Sequence, residues 1–516
     1  MPDWTYHPLR GIAAKLLGTR RSQRFALRTL ASAGSSPGGG RLIASAFGHR
    51  HVPAHLAGSV AGVRIHSRLG AVVPPGVARD AVRALPLLGA GLIEVSPVGL
   101  ADVPAVRQAA TGRRIPVIAH APGPDAEAVA AALATHVDAI TTEPDPNVLH
   151  VTSSSVAAAA DTLDEPEKVV LATPSLLIDA GPGWFARVIE AATPTQSTPP
   201  ARRPGRDPRR WPAWWWGLLV GLGMIGAGLG AAAITLGPVL LWYDRAYLGM
   251  DVDQLHAIDH HLVHFLQHDR ITMAGTMIAI GVLYTGLSVG GLRHGWPWAR
   301  EAYLLSGWIG FPTLLYFLGI GFVEPLHTAV TIVLFPMFLL ATRSRTRPQW
   351  TVMPEGSEPL RRRALVGQLL FVLVGIGLFG GGVSVSAVGL TTVFVDSDLE
   401  FLRTSAALIE SAHPRLLPFI AHDRAGFGGA LIAAATAIIL VSAWGWRRGE
   451  SWVWWSLALA AAAGFLPAVA VHSTIHYTDF LHLAPVFVGV ALTVTALVLA
   501  RPYLCAHVPK IVECSL

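Results

Sequence analysis

His268-Asp269-Arg270-Ile-Thr-Met-Ala-Gly-Thr-Met-Ile-Ala-Ile-Gly-Val-Leu-Tyr-Thr-Gly-Leu-Ser-Val-Gly-Gly-Leu292 sets three ionisable side chains at the head of an apolar run long enough to cross a bilayer. The triplet returns as His422-Asp423-Arg424, ahead of a second such run. Working outward, Asp244 precedes the first triplet and Glu324-x-x-His327 follows it, while Asp398 and Asp479-x-x-His482 flank the second. Asp398 lies 154 residues after Asp244, and His422 lies 154 after His268. His482 lies 155 after His327, one residue being inserted near Gly310-Phe311-Pro312 and Gly464-Phe465-Leu466-Pro467. Ionisable groups at the ends of membrane helices are costly to keep, so their recurrence implies a duplicated site or a duplicated structural clamp.

Eight segments are long and apolar enough to span: about 214–243, 271–292, 302–323, 327–342, 364–395, 425–446, 452–472 and 483–500. The uneven lengths call for tilt, helped by Pro238 and Gly380-Gly381-Gly382. Arginine collects before the first span (Arg202, Arg203, Arg206, Arg209, Arg210) and in the middle loop (Arg343, Arg345, Arg347, Arg361, Arg362, Arg363). Arg293 and Arg300, and Arg447 and Arg448, fall on the same side under an eight-span count, which makes that side cytoplasmic. Tryptophans 211, 214–216, 296, 298, 446, 452, 454 and 455 fit interfacial anchors there. Both polar signatures then face the extracytoplasmic side. Four spans per copy give the copies one orientation, hence parallel repeats about an axis along the membrane normal, with ligand sites expected where the repeats meet.

Only 14% of the 516 residues are charged and 52% are hydrophobic, which excludes an ordinary soluble protein. The apolar runs begin after residue 213, so the expected organisation is a soluble α/β head at 1–192, a basic Pro-rich linker at 193–212, and membrane repeats at 213–342 and 364–500. A basic cytoplasmic loop at 343–363 separates the repeats, and 501–516 form a cytoplasmic tail. The first 34 residues mix Arg and Lys into an amphipathic pattern without a signal-type apolar core, so the head is expected to stay cytoplasmic on a multi-pass cell-membrane protein. Linker arginines suit anionic lipid headgroups, and the +6 net charge arises in such loops without invoking nucleic acid. Cys505 and Cys514 define no disulfide framework. The Ala, Gly and Arg content suits a bacterium of high genomic GC.

Each copy offers an imidazole, carboxylates and a guanidinium at one membrane face. Three readings stay open: Asp–Arg pairs within a copy that clamp loops, a proton or quinol site, or a metal or haem site. The first copy adds His256, His260 and His264, continuing to His268 in one helical stripe with His261 beside it, a spacing that suits zinc or copper as well as a solvated helix face. The second copy has Glu410, Pro414, Pro418 and His422 in these places.

In the head, Gly62–Ile65, Gly91–Val95, Pro116–Ala119, Val137–Ile140 and Val169–Ala172 are β-rich runs alternating with Ala-rich helical stretches, the pattern of a parallel sheet or barrel. Tyr6-His7-Pro8-Leu9-Arg10, Leu88-Gly89-Ala90-Gly91-Leu92-Ile93-Glu94-Val95, Pro116-Val117-Ile118-Ala119-His120 and Thr173 through Gly181-Pro182-Gly183 together resemble the membrane-associated, quinone-linked dihydroorotate dehydrogenases. That resemblance implies a (β/α)₈-derived fold, truncated here, with FMN as cofactor and its phosphate at Thr173, Gly181 and Gly183, and quinone as partner. His120 stands where the family has a flavin-contacting lysine, Glu143 where it has an asparagine, and the segment carrying the catalytic serine is missing. About 150 residues are too few for eight β/α units.

The fold class expected is thus a truncated TIM-barrel-like α/β domain joined to an all-α polytopic membrane domain of about eight helices in two parallel four-helix repeats. The functional expectation is a non-catalytic head that regulates or anchors to the membrane domain. A flavin-dependent, quinone-linked oxidoreductase and a proton-linked transporter or channel are the alternatives. The partners are the lipid bilayer and, under the second reading, quinone; oligomeric state is left open.

Overall fold

The computed structural model describes residues 3–46, 52–193, 205–313, 315, 320–343 and 357–507. It divides into two compact units: Met1–Ser197 with Gln349–Leu365, and Thr198–Pro348 with Val366–Leu516. Most of the Pro-rich linker, the middle of the basic loop and the end of the tail, with Arg202, Arg203, Arg345, Arg347 and Cys514, lie outside the described residues.

In the first unit, helices Asp3–Leu17, Thr19–Ser35 and Gly39–Ala46 precede an antiparallel hairpin of β1 (Gly58–Val60) and β2 (Val63–Ile65). Six further strands follow: β3 (Leu69–Val73), β4 (Ile93–Val95), β5 (Val117–His120), β6 (Ala139–Thr141), β7 (Val148–Val151) and β8 (Val169–Ala172). All five β-rich runs read from the sequence contribute to these strands. The six form one parallel sheet in the order β6-β5-β4-β3-β8-β7, so the last strand pairs with the first, as in a barrel.

Its two edge strands are consecutive in the chain. Seven Cα steps from Thr141 to Val148 reach at most about 25 Å. Crossing a flat six-strand sheet, at about 4.8 Å per strand, and returning to the start of a parallel strand would need slightly more. The sheet therefore curls into a half-barrel, which lets His150 on β7 approach Glu94 on β4 at 3.1 Å. The hairpin's Val60 and Ile65 pack with Val72, Leu92, Ile118, Val169 and Leu171. Arg68, buried, donates to the carbonyls of Leu163 (2.7 Å) and Lys168 (3.0 Å), closing the end of the Val156–Asp164 helix.

Among the described residues, seven helices are long and apolar enough to cross a membrane: Ala213–Leu236, His260–His294 including its π and 3₁₀ turns, Pro325–Thr342, Glu358–Leu390, Leu416–Trp444, Ser451–Thr474 and Phe480–Leu504. The segment expected at 302–323 is represented by the Pro297–Thr313 helix, whose continuation is outside the described residues. Two helices begin well before the sequence boundaries: 271 moves back to His260 and 425 to Leu416. Both His-Asp-Arg triplets consequently lie inside helices, at their ninth to eleventh and seventh to ninth residues, rather than in front of them.

Close helix packing repeats at the same 154-residue offset. A Cβ on Gly228 would meet the Ala274 carbonyl at 2.8 Å, and one on Gly382 would meet the Gly428 carbonyl at 2.9 Å. Only a missing side chain allows Ala213–Leu236 to lie on His260–Gly286, and Glu358–Leu390 on Leu416–Trp444, at this distance. At the opposite helix ends from the triplets, Arg293 lies over Trp214 (5.4 Å), Arg447 over Trp296 (4.2 Å) and Arg501 over Trp454 (5.7 Å), as interfacial anchors would.

Candidate functional site

The two triplets meet and exchange partners. Arg270 donates through Nε to Asp423 Oδ2 (2.7 Å), and Arg424 donates through Nε to Asp269 Oδ2 (3.0 Å). Each guanidinium also donates through Nη1 to the carbonyl of a valine before its own copy's short helix: Arg270 to Val239 (2.6 Å) and Arg424 to Val393 (3.1 Å). Each lies over an aromatic ring of the other copy, Arg270 over Phe419 (5.0 Å) and Arg424 over Phe265 (4.7 Å). Val239 and Val393 both take left-handed backbone conformations, φ 58° and 65°, where a β-branched residue is strained. That strain aims both carbonyls at the arginines.

The sequence expectation of a clamp within each copy is therefore half corrected. Arg424 does hold Asp398 of its own copy at 2.5 Å, but Arg270 stands 3.8 Å from Asp244. The crossed contacts are made by carboxylates only 3% exposed. Asp244 and Asp398 additionally accept the backbone N–H of Leu241 (3.0 Å) and Val395 (2.9 Å), capping their short helices. Burial, only partly offset by Arg270, pushes the Asp244 carboxyl up.

On one flank, Glu324 caps the Pro325–Thr342 helix by accepting the His327 N–H (3.2 Å), and the same oxygen lies 2.5 Å from His327 Nδ1. Its other oxygen accepts the Tyr243 hydroxyl at 2.5 Å. Burial raises the Glu324 carboxyl, but the His327 hydrogen bond and charge overcome it and hold it at about 2. His422 gives Nδ1–H to the Phe322 carbonyl (3.2 Å), and its ring lies 5.6 Å from that of His327. A cavity of about 200 Å³ is lined by Tyr243, Asp244, Arg270, Glu324, His327 and Asp423. Met273, Met277 and His327 also line an apolar cavity of about 90 Å³ that includes Tyr284, Phe311 and, from the second copy, Ala433.

The other flank differs chemically. Asp479 caps its helix through the His482 N–H (2.7 Å), being one methylene shorter than Glu324. His482 Nδ1 instead lies 3.4 Å from the Tyr477 hydroxyl, which donates to Asp398 (2.9 Å). Burial, with the Asp398 charge behind it, pushes the Tyr477 hydroxyl well above its ordinary range. His268 places Nδ1 3.0 Å from Asp269 and Nε2 2.9 Å from His472 Nε2. His472, Tyr477 and Tyr243 escaped sequence reading because the opposite copy has no matching side chain: Phe322 answers to Tyr477 and Ser397 to Tyr243.

The histidine stripe breaks at Asp259, which ends one helix and caps the next. The rings of His256, His260 and His264 still neighbour one another, with centroids 5.3–6.2 Å apart. Among the described residues, however, the triads whose donor atoms fall within ligand spacing are His268, His472, His482 and Glu324, His327, His422.

In the head, Gly183 N–H donates to Asp3 Oδ1 at 2.7 Å, and Arg361 donates to Asp3 Oδ2 at 2.8 Å. Gly181 has φ +82°, and a Cβ at Gly183 would fall 2.8 Å from the Asp3 carboxylate. Thr173 Oγ1 is engaged with the Val151 carbonyl (3.0 Å) and caps the Pro174–Ala180 helix. A phosphate at this turn would confront the chain's own carboxylate, so the residues in this arrangement do not fit a flavin phosphate. His120 Nδ1 lies 3.0 Å from Thr141 Oγ1, at the C-terminal ends of β5 and β6. Glu143 lies two residues past β6.

Compared with known protein families, curated proteins and solved structures, the chain matches none.

Proposed function

We propose that this protein is a proton-linked membrane transporter of eight spans, built as two parallel four-helix repeats whose outer ends are latched by the exchanged Asp–Arg pairs. The observation that carries this reading is the exchange itself: Arg270 holds Asp423 and Arg424 holds Asp269, above a cavity lined from both copies. Repeats that rock about a shared axis need contacts that can close one face and release it. Crossed ion pairs do this, whereas pairs kept within a copy would not. His327, held against a carboxylate on the cavity wall, is the group that gains and loses the transported proton. The arginine and tryptophan distribution supports an outer location for the latch, with head and tail in the cytoplasm. The head is a shortened, non-catalytic relative of the quinone-linked dihydroorotate dehydrogenases, serving as a regulatory or anchoring module. The half-barrel and the Asp3 carboxylate at the glycine turn support that reading.

Proteoliposomes with an entrapped pH dye and an imposed gradient test the proton coupling. The wild-type chain is expected to dissipate the gradient faster than empty vesicles, and Glu324→Gln with His327→Gln to lose most of that rate. Equal rates for all three would retire proton coupling.

A further inference from the structure

The geometry points to a transition-metal site in which His268, His472 and His482 bind one divalent cation of the zinc type, joining the two copies beside the latch. His268 and His472 set their Nε2 atoms 2.9 Å apart. His472 gives its Nδ1–H to the Ala468 carbonyl at 2.6 Å, and the Asp269 carboxylate 3.0 Å from His268 Nδ1 electrostatically favours the proton on that nitrogen as well. In the neutral rings both Nε2 atoms then present lone pairs to each other. Such an approach is repulsive unless a positive centre lies between or beside them. A nitrogen of His482 completes the set, all three donors falling within 4.8 Å of one another.

Metal-bound imidazoles commonly give their second N–H to a carboxylate or a backbone carbonyl, the two acceptors found here. Three imidazoles with an open fourth position are a zinc donor set. The related triad Glu324, His327 and His422 lacks this feature. There the carboxylate already engages His327 Nδ1 (2.5 Å) and the Tyr243 hydroxyl (2.5 Å), so a cation would have to break both contacts. One fold thus carries an ion-pair site in one flank and a metal site in the other. His268 belongs to the first copy and His472 and His482 to the second, so the bound cation ties the copies together. The site stands on its own geometry, whatever species the membrane unit moves.

Cobalt(II) is the probe, added to the full-length protein in detergent and followed by elemental analysis after dialysis and by visible absorption. About one cobalt per chain is expected, with the intense d–d bands of low coordination number. His472→Ala should lose it, His256→Ala/His260→Ala/His264→Ala should retain it, and His482→Cys should retain it with an added thiolate-to-cobalt band. A wild-type chain that holds no cobalt would overturn the site, as would loss of cobalt in the triple-alanine variant. His482→Cys keeps the test decisive if His472→Ala fails to fold: retention without a thiolate band would exclude His482 as ligand. Proton flux is read separately, so failure of the transport reading leaves this result standing.

Discussion

Asp423→Ala is expected to destabilise the membrane unit by about 3–5 kcal/mol, the usual consequence of stranding one charge of a buried pair. Arg270 is 8% exposed and its remaining carboxylate, Asp244, stands 3.8 Å away, so nothing close replaces the lost partner. Asp269→Ala should cost less, because Arg424 keeps Asp398 at 2.5 Å. This ordering follows from the unequal hold of the two arginines on the acid of their own copy. Removing both charges, as Asp423→Leu with Arg270→Met, should cost less than Asp423→Ala, since no uncompensated ion is then buried. Thermal unfolding of the purified variants in detergent reads all three. A milder effect for Asp423→Ala than for Asp269→Ala would contradict the geometry.

Loosening the latch without removing its shape should expose the central cavity. Asp269→Asn with Asp423→Asn keeps the size of the side chains and weakens both crossed charge-assisted bonds. If the closed state loses about 3 kcal/mol in all, the open population rises roughly 100-fold until it saturates. A cysteine at Met277, which lines both the polar and the apolar cavity, reports that change. Labelling by a membrane-impermeant thiol reagent should be slow in the closed protein and faster by at least about tenfold in the double variant. Labelling that stays unchanged, or rises only from the arginine-rich side, would refute an outer latch.

Much of this was legible in the sequence. The duplicated polar signature named twelve of the ionisable residues placed at the site, and the β-rich runs of the head gave five of its eight strands. The partner exchange was not legible. Sequence spacing shows that Arg270 and Arg424 are equivalent, yet equivalence allows each to pair inside its copy or across, and only the approach of the two helices decides. Span boundaries erred for a related reason. An unpaired charge ends a membrane helix in a hydropathy reading, whereas the exchanged pairs let His260–Gly286 and Leu416–Trp444 carry His-Asp-Arg within the helix. The stripe of His256, His260 and His264 does not run on one helix as its periodicity assumes, because Asp259 breaks it. His472 was invisible to an argument built on repetition, since it has no counterpart.

The exchange is the claim on which the latch and the opening of the cavity rest, and a double-mutant cycle addresses it directly. Asp423 should couple to Arg270, 153 residues away in the chain, by about 1–3 kcal/mol in unfolding free energy, and negligibly to Arg424 beside it. Strong coupling between Asp423 and Arg424, with none to Arg270, would mean that each copy keeps its ion pairs to itself.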